Sequence, residues 1–235
     1  MKKLFVLIAA ACMTCTAAFA QTVKPFKEGE RAVFLGNSIT DGGHYHSYIW
    51  LYYMTRFPDM PIRVFNGGIG GDTAYDMNKR LDGDIFAMKP SVLMVTFGMN
   101  DSGYFEYNGD KPKEFGEQKY QESIKNYQQM EKRFKDLPDT RIVMVGTSPY
   151  DETVQLKENT PFKTKNETIK RLVEYQQESA AKNNWEFTDL NAPMTAINQQ
   201  YQQKDPTFTL CGSDRIHPDN DGHMVMAYLF LKAQG

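Results

Sequence analysis

The sequence predicts an α/β fold, a three-layer α/β/α sandwich around a short, mainly parallel five-stranded sheet. Two observations support this prediction. First, five short runs are rich in β-branched and aromatic residues. Second, the longer stretches that alternate with these runs have apolar residues at helical spacing. Such alternation is typical of parallel strands that are joined by helices and covered by them on both faces.

The predicted elements follow in order along the chain. Strands are expected at 31–35, 62–65, 92–97, 141–145 and 185–188. Helical spacing recurs in two of the intervening stretches, at Tyr120, Ile124, Tyr127 and Phe134, and at Ile169, Leu172 and Val173 within 164–182. A last helix should follow Pro218, starting near Asp219 or Asn220, with an inner face of Met224, Val225, Tyr228 and Leu229.

The N-terminus has the layout of a secretory signal peptide. Lys2 and Lys3 precede an apolar run at 4–11, and small residues end at Ala20. The apolar run is far shorter than the ~20 residues that span a bilayer, so a membrane anchor is disfavoured. The sequence therefore predicts a signal peptide at 1–20, an exported (periplasmic or secreted) protein, and one domain at 21–235.

Two of the three cysteines, Cys12 and Cys15, lie inside this leader, which raises lipid attachment as an alternative. Neither follows a convincing leucine-and-small-residue lead-in, so soluble export is favoured. After cleavage only Cys211 remains, and no intrachain disulfide can form. The sequence leaves open the oligomeric state and whether the natural protein continues past Gly235.

Charge and composition exclude several classes of protein. The chain has 27 basic and 29 acidic side chains, a net charge of -2, and 41% hydrophobic residues. This composition supports a buried core, and no basic stripe of the kind that binds nucleic acid is present. No internal repeat or Pro/Gly-rich linker divides the chain, so a single domain is the simplest organisation.

Four polar blocks stand at or near the ends of predicted elements. They occupy 36–43, 66–73, 98–101 and 214–218. In an open parallel sheet, ligand sites gather at the carboxyl ends of the strands. The blocks are therefore expected to lie near one another and to form the functional site.

Together the blocks supply the groups that acyl transfer requires. Ser38 offers a hydroxyl nucleophile, and His217, with an ordinary pKa of ~6.5, can take its proton. Asp214 lies three residues before His217 and can orient its ring. The Ser38 amide, an amide of the glycine cluster and the Asn100 side chain are candidate donors to an oxyanion.

These blocks, in this order, resemble those of the SGNH (GDSL-like) hydrolases, named for serine, glycine, asparagine and histidine. The resemblance covers nearly the whole chain after residue 20. It implies a flavodoxin-like fold with Ser38 as nucleophile and Asp214 with His217 completing the triad. Gly71 and Asn100 would be the oxyanion donors beside the Ser38 amide.

Two details of the resemblance concern neighbouring residues. Gly70 could replace Gly71 as the donor, but Gly71-Asp72-Thr73 matches the family pattern of glycine, aspartate and threonine or serine better. Asn37 stands where the family often has aspartate, a departure that does not touch the nucleophile. The glycine spacing is wrong for a dinucleotide site, and no G-x-S-x-G elbow of the α/β-hydrolases is present.

Each block alone could be an ordinary turn or helix cap, so the prediction depends on all four together. Near them, Asp41 and the loop aromatics Tyr104 and Tyr107 are candidate substrate contacts, although such aromatics often only pin a loop. His44 and His46 suggest a metal site with Asp41, but no third imidazole or cysteine has ligand spacing. We expect neither a metal nor another cofactor.

The expected function is cofactor-independent ester hydrolysis on a small-molecule or polysaccharide ester. Export and the absence of a long apolar lid favour a polar substrate, and by analogy removal of O-acetyl groups from carbohydrates. Alternatives are a short-chain lipase or thioesterase, a peptidoglycan O-acetylesterase, or a non-catalytic carbohydrate-binding protein on the same fold. Neither nucleic acid nor stable membrane insertion is expected.

Overall fold

A computed structural model describes residues 22–158 and 160–235, whose strands form one five-stranded sheet. The strands are β1 (Arg31–Gly36), β2 (Arg63–Gly68), β3 (Val92–Val95), β4 (Arg141–Gly146) and β5 (Glu186–Asp189). Their order is β2-β1-β3-β4-β5, and every neighbouring pair is parallel. All five predicted strands are present, with their ends shifted by at most three residues.

Helices connect these strands and cover both faces of the sheet. They are α1 (Ser38–Asp41), α2 (His44–Arg56), α3 (Ala74–Arg80), α4 (Pro112–Lys135), α5 (Lys165–Asn183), α6 (Asn191–Gln202) and α7 (Asn220–Ala233). A short 3-10 helix, Phe105–Asn108, lies in the loop before α4.

The core consists of two apolar layers, one on each face of the sheet. Within β1, Ala32 and Phe34 belong to one layer, while Val33 and Leu35 belong to the other. The same alternation recurs in β3 and β4, because successive side chains of a strand point to opposite faces. Residues of α2 and α7 complete the first layer, and residues of α3 and α4 complete the second. This arrangement confirms the predicted α/β/α sandwich.

The last helix starts where the sequence predicts, but its predicted inner face is partly wrong. Met224 and Tyr228 are 52% and 59% exposed, while Val225 and Leu229 are only partly buried. The residues that face the core are Gly222, His223, Met226, Ala227 and Phe230. The helix is apolar on more than one side, and its packing against α2 decides which side is buried.

The other helical predictions agree more closely with the structure. In α4, Tyr127 and Phe134 are buried, while Tyr120 and Ile124 are half-buried. The predicted apolar face of α5 is buried throughout. Within the described part of the chain, no helix combines the length and apolarity needed to cross a membrane. The predicted signal peptide lies outside the described residues.

Candidate active site

Ser38 occupies the first position of α1, directly beyond the carboxyl end of β1. The side chain of Asn37 caps this helix by accepting a hydrogen bond from the N–H of Ile39 at 3.1 Å. The first N–H groups of a helix have no partner within it. The Ser38 amide is therefore available to a ligand next to the Ser38 hydroxyl.

His217 and Asp214 lie in the loop before α7, and this loop brings His217 to Ser38. The Oγ atom of Ser38 is 2.7 Å from Nε2 of His217, and Nδ1 of His217 is 2.6 Å from Oδ2 of Asp214. A carboxylate can only accept, so Nδ1 carries the proton and Nε2 presents its lone pair to the serine hydroxyl. The structure thus brings together the three residues predicted to form a triad.

The Asp214 carboxylate is itself fixed by the backbone. Its Oδ1 accepts from the N–H groups of Ile216 and His217, both at 2.9 Å. Arg215, between Asp214 and Ile216, is buried and has a positive φ of 69°, and its Nη1 donates to the carbonyl oxygens of Asp151 and Val154. The loop is therefore anchored to the segment that follows β4.

Electrostatics of the pair are consistent with a base and its orienting group. The hydrogen bond to Asp214 raises the pKa of His217 above 6.5, although partial burial acts in the opposite direction. Partial burial alone would raise the pKa of Asp214. The hydrogen bonds from His217 and Ile216 outweigh it and hold that pKa below its ordinary value. Asp214 therefore stays ionised, and His217 is a stronger base than a free imidazole.

The glycine cluster after β2 packs directly against the serine turn. A Cβ on Gly68 would lie 2.3 Å from the amide nitrogen of Asp41, so only glycine allows this approach. The N–H of Ile69 donates to the carbonyl of Gly36 at 3.2 Å. Gly71 has a φ of 84°, and its N–H has no partner among the described residues.

The side-chain amide of Asn100 is held from two directions. Its Oδ1 accepts from the hydroxyl of Tyr104, and its Nδ2 donates to the carbonyl of Asp72 at 2.9 Å. The second bond joins the third polar block to the glycine cluster. One N–H of the amide is left for a ligand, because an asparagine amide has two donors.

Two charged residues that the sequence does not mark as functional hold the blocks together. Asp101 is buried and accepts from the N–H of Gly98 and of Ala74, both at 2.9 Å, so it ties the third block to α3. Arg80 pairs with Asp72 at 2.6 Å and donates to the carbonyl oxygens of Gly67 and Gly36 at 2.8 and 3.2 Å. Asp101 belongs to the third polar block, so the sequence could have suggested a role for it. Nothing in the sequence around Arg80 indicates that its side chain contacts the end of β1.

The predicted substrate contacts have different environments. Asp41 is exposed next to Gly70, and Tyr104 is half-buried against Asn100. Tyr107 is only 3% exposed; its hydroxyl donates to the carbonyl of Ser102 at 2.8 Å and lies in hydrogen-bond contact with the Thr168 hydroxyl at 2.9 Å. The expectation that Tyr107 contacts substrate is therefore corrected, since this residue anchors the loop to α5. Phe105, two positions earlier in the same loop, is 79% exposed.

The two histidines after the serine turn have separate environments. His46 is buried, with Nε2 at 3.2 Å from the carbonyl of Thr40, whereas the His44 ring stacks on His223 at 5.0 Å. Among the residues that the structure describes, no cluster of three or more His, Cys, Asp or Glu side chains is placed to hold a metal ion. Cys211 is buried and free, and burial raises the pKa of its thiol to about 12.

The family of this chain is shown by its match to a known family model. The family model of GDSL-like lipases and acylhydrolases matches residues 34–225, which include all four polar blocks. The chain belongs to this family. A curated acetylxylan esterase from Geobacillus stearothermophilus is 26% identical to this GDSL-like chain over 223 residues, covering 88% of it and 94% of the relative. The GDSL-like domain is thus of the carboxylic ester hydrolase class.

Two solved structures are similar to this GDSL-like domain. A gut microbial diltiazem-metabolizing enzyme is 86% identical, with a TM-score of 0.91. The match covers 92% of this chain and 49% of that one, so this chain spans about half the length of that relative. The crystal structure of the acetylxylan esterase Axe2 from Geobacillus stearothermophilus has a TM-score of 0.70 at 24% identity, covering 89% and 95% of the two chains. At this low identity, the likeness to Axe2 shows a shared fold and nothing more.

Proposed function

We propose that this protein is an exported serine esterase that removes O-acetyl groups from carbohydrates, with Ser38, His217 and Asp214 as its catalytic triad. One observation carries the proposal, namely the unbroken chain of contacts from Ser38 Oγ through the His217 ring to Asp214, at 2.7 and 2.6 Å. Such a chain lets an ordinary hydroxyl act as a nucleophile at neutral pH.

In the first half-reaction, Ser38 Oγ attacks the acetyl carbonyl carbon while Nε2 of His217 takes the hydroxyl proton. The carbonyl oxygen becomes an oxyanion that can accept from the amides of Ser38 and Gly71 and from the Asn100 side chain. The bond from the carbonyl carbon to the sugar oxygen then breaks. His217 returns its proton to that oxygen, so the sugar leaves as an alcohol and Ser38 carries the acetyl group.

In the second half-reaction, His217 takes a proton from water, and the resulting hydroxide attacks the acetyl carbon. The bond to Ser38 Oγ breaks, the proton returns to that oxygen, and acetate leaves. Asp214 stays ionised throughout and stabilises the imidazolium form of His217. No cofactor takes part in this sequence of steps.

Three features favour a carbohydrate acetyl ester over a long acyl chain. The side chains of His217 and Asp214 are 48% and 46% exposed, so the site is open to solvent. The exposed carboxylate of Asp41 lies beside the glycine cluster and makes this edge of the site polar. The curated relative with 26% identity is an acetylxylan esterase. The solved structures of Axe2 include catalytic mutants of a serine, and of an aspartate and a histidine three positions apart, the spacing of Asp214 and His217.

A second candidate substrate is a small acetate ester of a drug-like molecule. The 86% identical structure is that of a diltiazem-metabolizing enzyme, and diltiazem carries an acetate ester. The same triad and the same acetyl-enzyme would serve both substrates. They differ only in the alcohol that leaves, which the exposed rim must accommodate.

Export is part of the proposal and has its own test. The Lys2-Lys3 pair, the apolar run and the small residues before Gln21 are its support. N-terminal sequencing of the protein from its natural host should find Gln21 as the first residue. A mature protein that retains the leader would contradict cleavage at this position.

The function is tested by acetate release from acetylated xylan, pectin, sialic acid and peptidoglycan, with diltiazem, p-nitrophenyl acetate and a long-chain p-nitrophenyl ester alongside. Wild type is compared with Ser38→Ala and with the control Thr55→Ala, an exposed hydroxyl residue near the end of α2. We expect release of acetate by wild type and by the control, and none by Ser38→Ala, whose circular dichroism spectrum should be unchanged.

Each outcome has a different meaning. Ser38-dependent acetate from one polysaccharide supports the carbohydrate proposal, while acetate from diltiazem alone supports the second candidate. Activity restricted to the long-chain ester would assign the protein to the lipases. Equal activity of wild type and Ser38→Ala would refute the triad, and no activity on any substrate would favour a binding role.

A further inference from the structure

A buried lysine lies directly beneath the loop that carries Asn100. Lys165 is the first residue of α5, and its side chain is fully buried. Its amino group donates to the carbonyl of Met99 at 2.7 Å, to Oγ of Ser102 at 2.6 Å and to the carbonyl of Gly103 at 2.5 Å. All three donors of the ammonium group are thus used within residues 99–103.

Burying an ammonium group is costly, and here aromatic rings compensate for part of the lost hydration. Nζ of Lys165 lies 4.0 Å from the ring centroid of Tyr104 and 5.7 Å from that of Tyr150. The nearest carboxylates that favour the charged form are Asp101 and Glu152. Neither forms a direct ion pair with Lys165 among the described residues.

Tyr104 connects this cation to the proposed oxyanion donor. One face of its ring lies over Lys165, and its hydroxyl donates to Oδ1 of Asn100. Burial raises the pKa of Tyr104, so the phenol keeps its proton and remains a donor over the whole working range of pH. The direction of the free N–H of Asn100 therefore depends on where Lys165 holds the Tyr104 ring.

We infer that Lys165 is a positioning residue for ester hydrolysis. In its protonated form it holds the 99–103 segment and the Tyr104 ring so that the Asn100 amide points at the oxyanion. This inference rests on the proposed function. Lys165 does not touch the substrate and acts through Tyr104 and the backbone of Met99.

The charge of Lys165 makes this role sensitive to pH. Burial lowers the pKa of Lys165 to about 7, against the opposing influence of Asp101 and Glu152. These carboxylates, with the phenols of Tyr104 and Tyr150, are the titratable groups that face the amine. Tyr104 and Tyr150 both have raised pKa values because of burial. Loss of the proton at higher pH would release one hydrogen bond and the ring contact, and kcat should decline there.

The test is the pH profile of kcat and KM for p-nitrophenyl acetate in wild type, Lys165→Met and the control Lys182→Met, an exposed lysine of the same helix. We expect Lys165→Met to lower kcat by about tenfold or more with little change in KM, because only transition-state stabilisation is weakened. Its profile should also lose the decline on the alkaline side that wild type shows. The control should match wild type in both respects.

A merely structural lysine would give another pattern. In that case Lys165→Met would lower the melting temperature but keep the kcat and the pH profile of wild type, and the inference would be wrong. Absence of Ser38-dependent hydrolysis in wild type would instead refute the proposed function. The two failures are therefore distinguishable.

The variant Tyr104→Phe adds a test that does not depend on Lys165→Met folding well, and it completes a double-mutant cycle with Lys165→Met. Tyr104→Phe keeps the ring over Lys165 and removes the hydroxyl that binds Asn100. We expect Tyr104→Phe alone to reduce kcat, and the double variant to be little worse than the poorer single variant, because both act through one contact chain. An unchanged kcat in Tyr104→Phe would overturn the inference even if Lys165→Met fails to fold.

Discussion

Replacement of Asn100 by alanine tests the proposed oxyanion site most directly. The amide is fixed by the Tyr104 hydroxyl on one side and by the Asp72 carbonyl on the other, with one N–H left over. Asn100→Ala removes that N–H while Ser38, His217 and Asp214 keep their contacts. Removal of one oxyanion donor typically lowers kcat by ~10²–10³, equivalent to ~2.7–4 kcal/mol, so we expect a loss in this range with a similar KM.

The same substitution also removes two hydrogen bonds of the native state. Each contributes ~0.5–1.5 kcal/mol, so the free energy of unfolding should fall by ~1–3 kcal/mol. The protein should remain folded at assay temperature, because this is a fraction of the stability of an ordinary domain. Kinetics must therefore be measured well below the midpoint of a thermal melt recorded for each variant.

The assay is steady-state hydrolysis of p-nitrophenyl acetate, and the control is Asn108→Ala at the exposed end of the nearby 3-10 helix. The control should keep the kcat of wild type. A kcat for Asn100→Ala within about twofold of wild type would refute the assignment of this amide as an oxyanion donor. A large rise in KM at constant kcat would show that Asn100 binds the ground state instead.

Four further predictions concern the histidine loop and the arginine beneath the site. Because Asp214 raises the pKa of His217, kcat/KM should fall on the acid side with an apparent pKa above 6.5, as a pH-rate profile of wild type would show; an apparent pKa below 6.5 would contradict this. Stability from the His217 contact is present below pH 6.5 and is lost as pH rises through the raised pKa. The contribution of Asp214 is lost as pH falls through its lowered pKa, and urea unfolding at several pH values checks both signs. Asp214→Asn should lower kcat by ~10⁴ yet leave more activity than Ser38→Ala, and wild-type activity in it would mean that another group orients His217. Arg80→Met leaves the carboxylate of Asp72 without its ion-pair partner, although that side chain is only 10% exposed. The substitution should therefore lower the free energy of unfolding by about 3 kcal/mol in urea titrations. The exposed Arg56→Met should change it by less than about 0.5 kcal/mol, and equal losses in both would refute the role of Arg80.

Local sequence patterns determined the architecture and the membership of the site. Strand runs and helical spacing depend on nearby residues, so the five strands and their helices could be predicted with ends shifted by a few positions. The four polar blocks follow or adjoin these elements. Since a parallel sheet gathers the ends of its strands at one edge, Ser38, Asn100 and the glycine cluster could be predicted to lie together.

Tertiary structure decided what depends on contacts between distant segments. The apolar side of α7 that is buried is chosen by α2, and the burial of Tyr107 by Thr168 on α5. Lys165 reaches Met99 across 66 positions, and Arg80 reaches Gly36 across 44. A lysine or arginine in a helix normally extends into water, so its sequence neighbourhood carries no sign that it will be buried. Only the packing of the helices on the sheet turns these cations inward, toward the carbonyl groups at the ends of the strands.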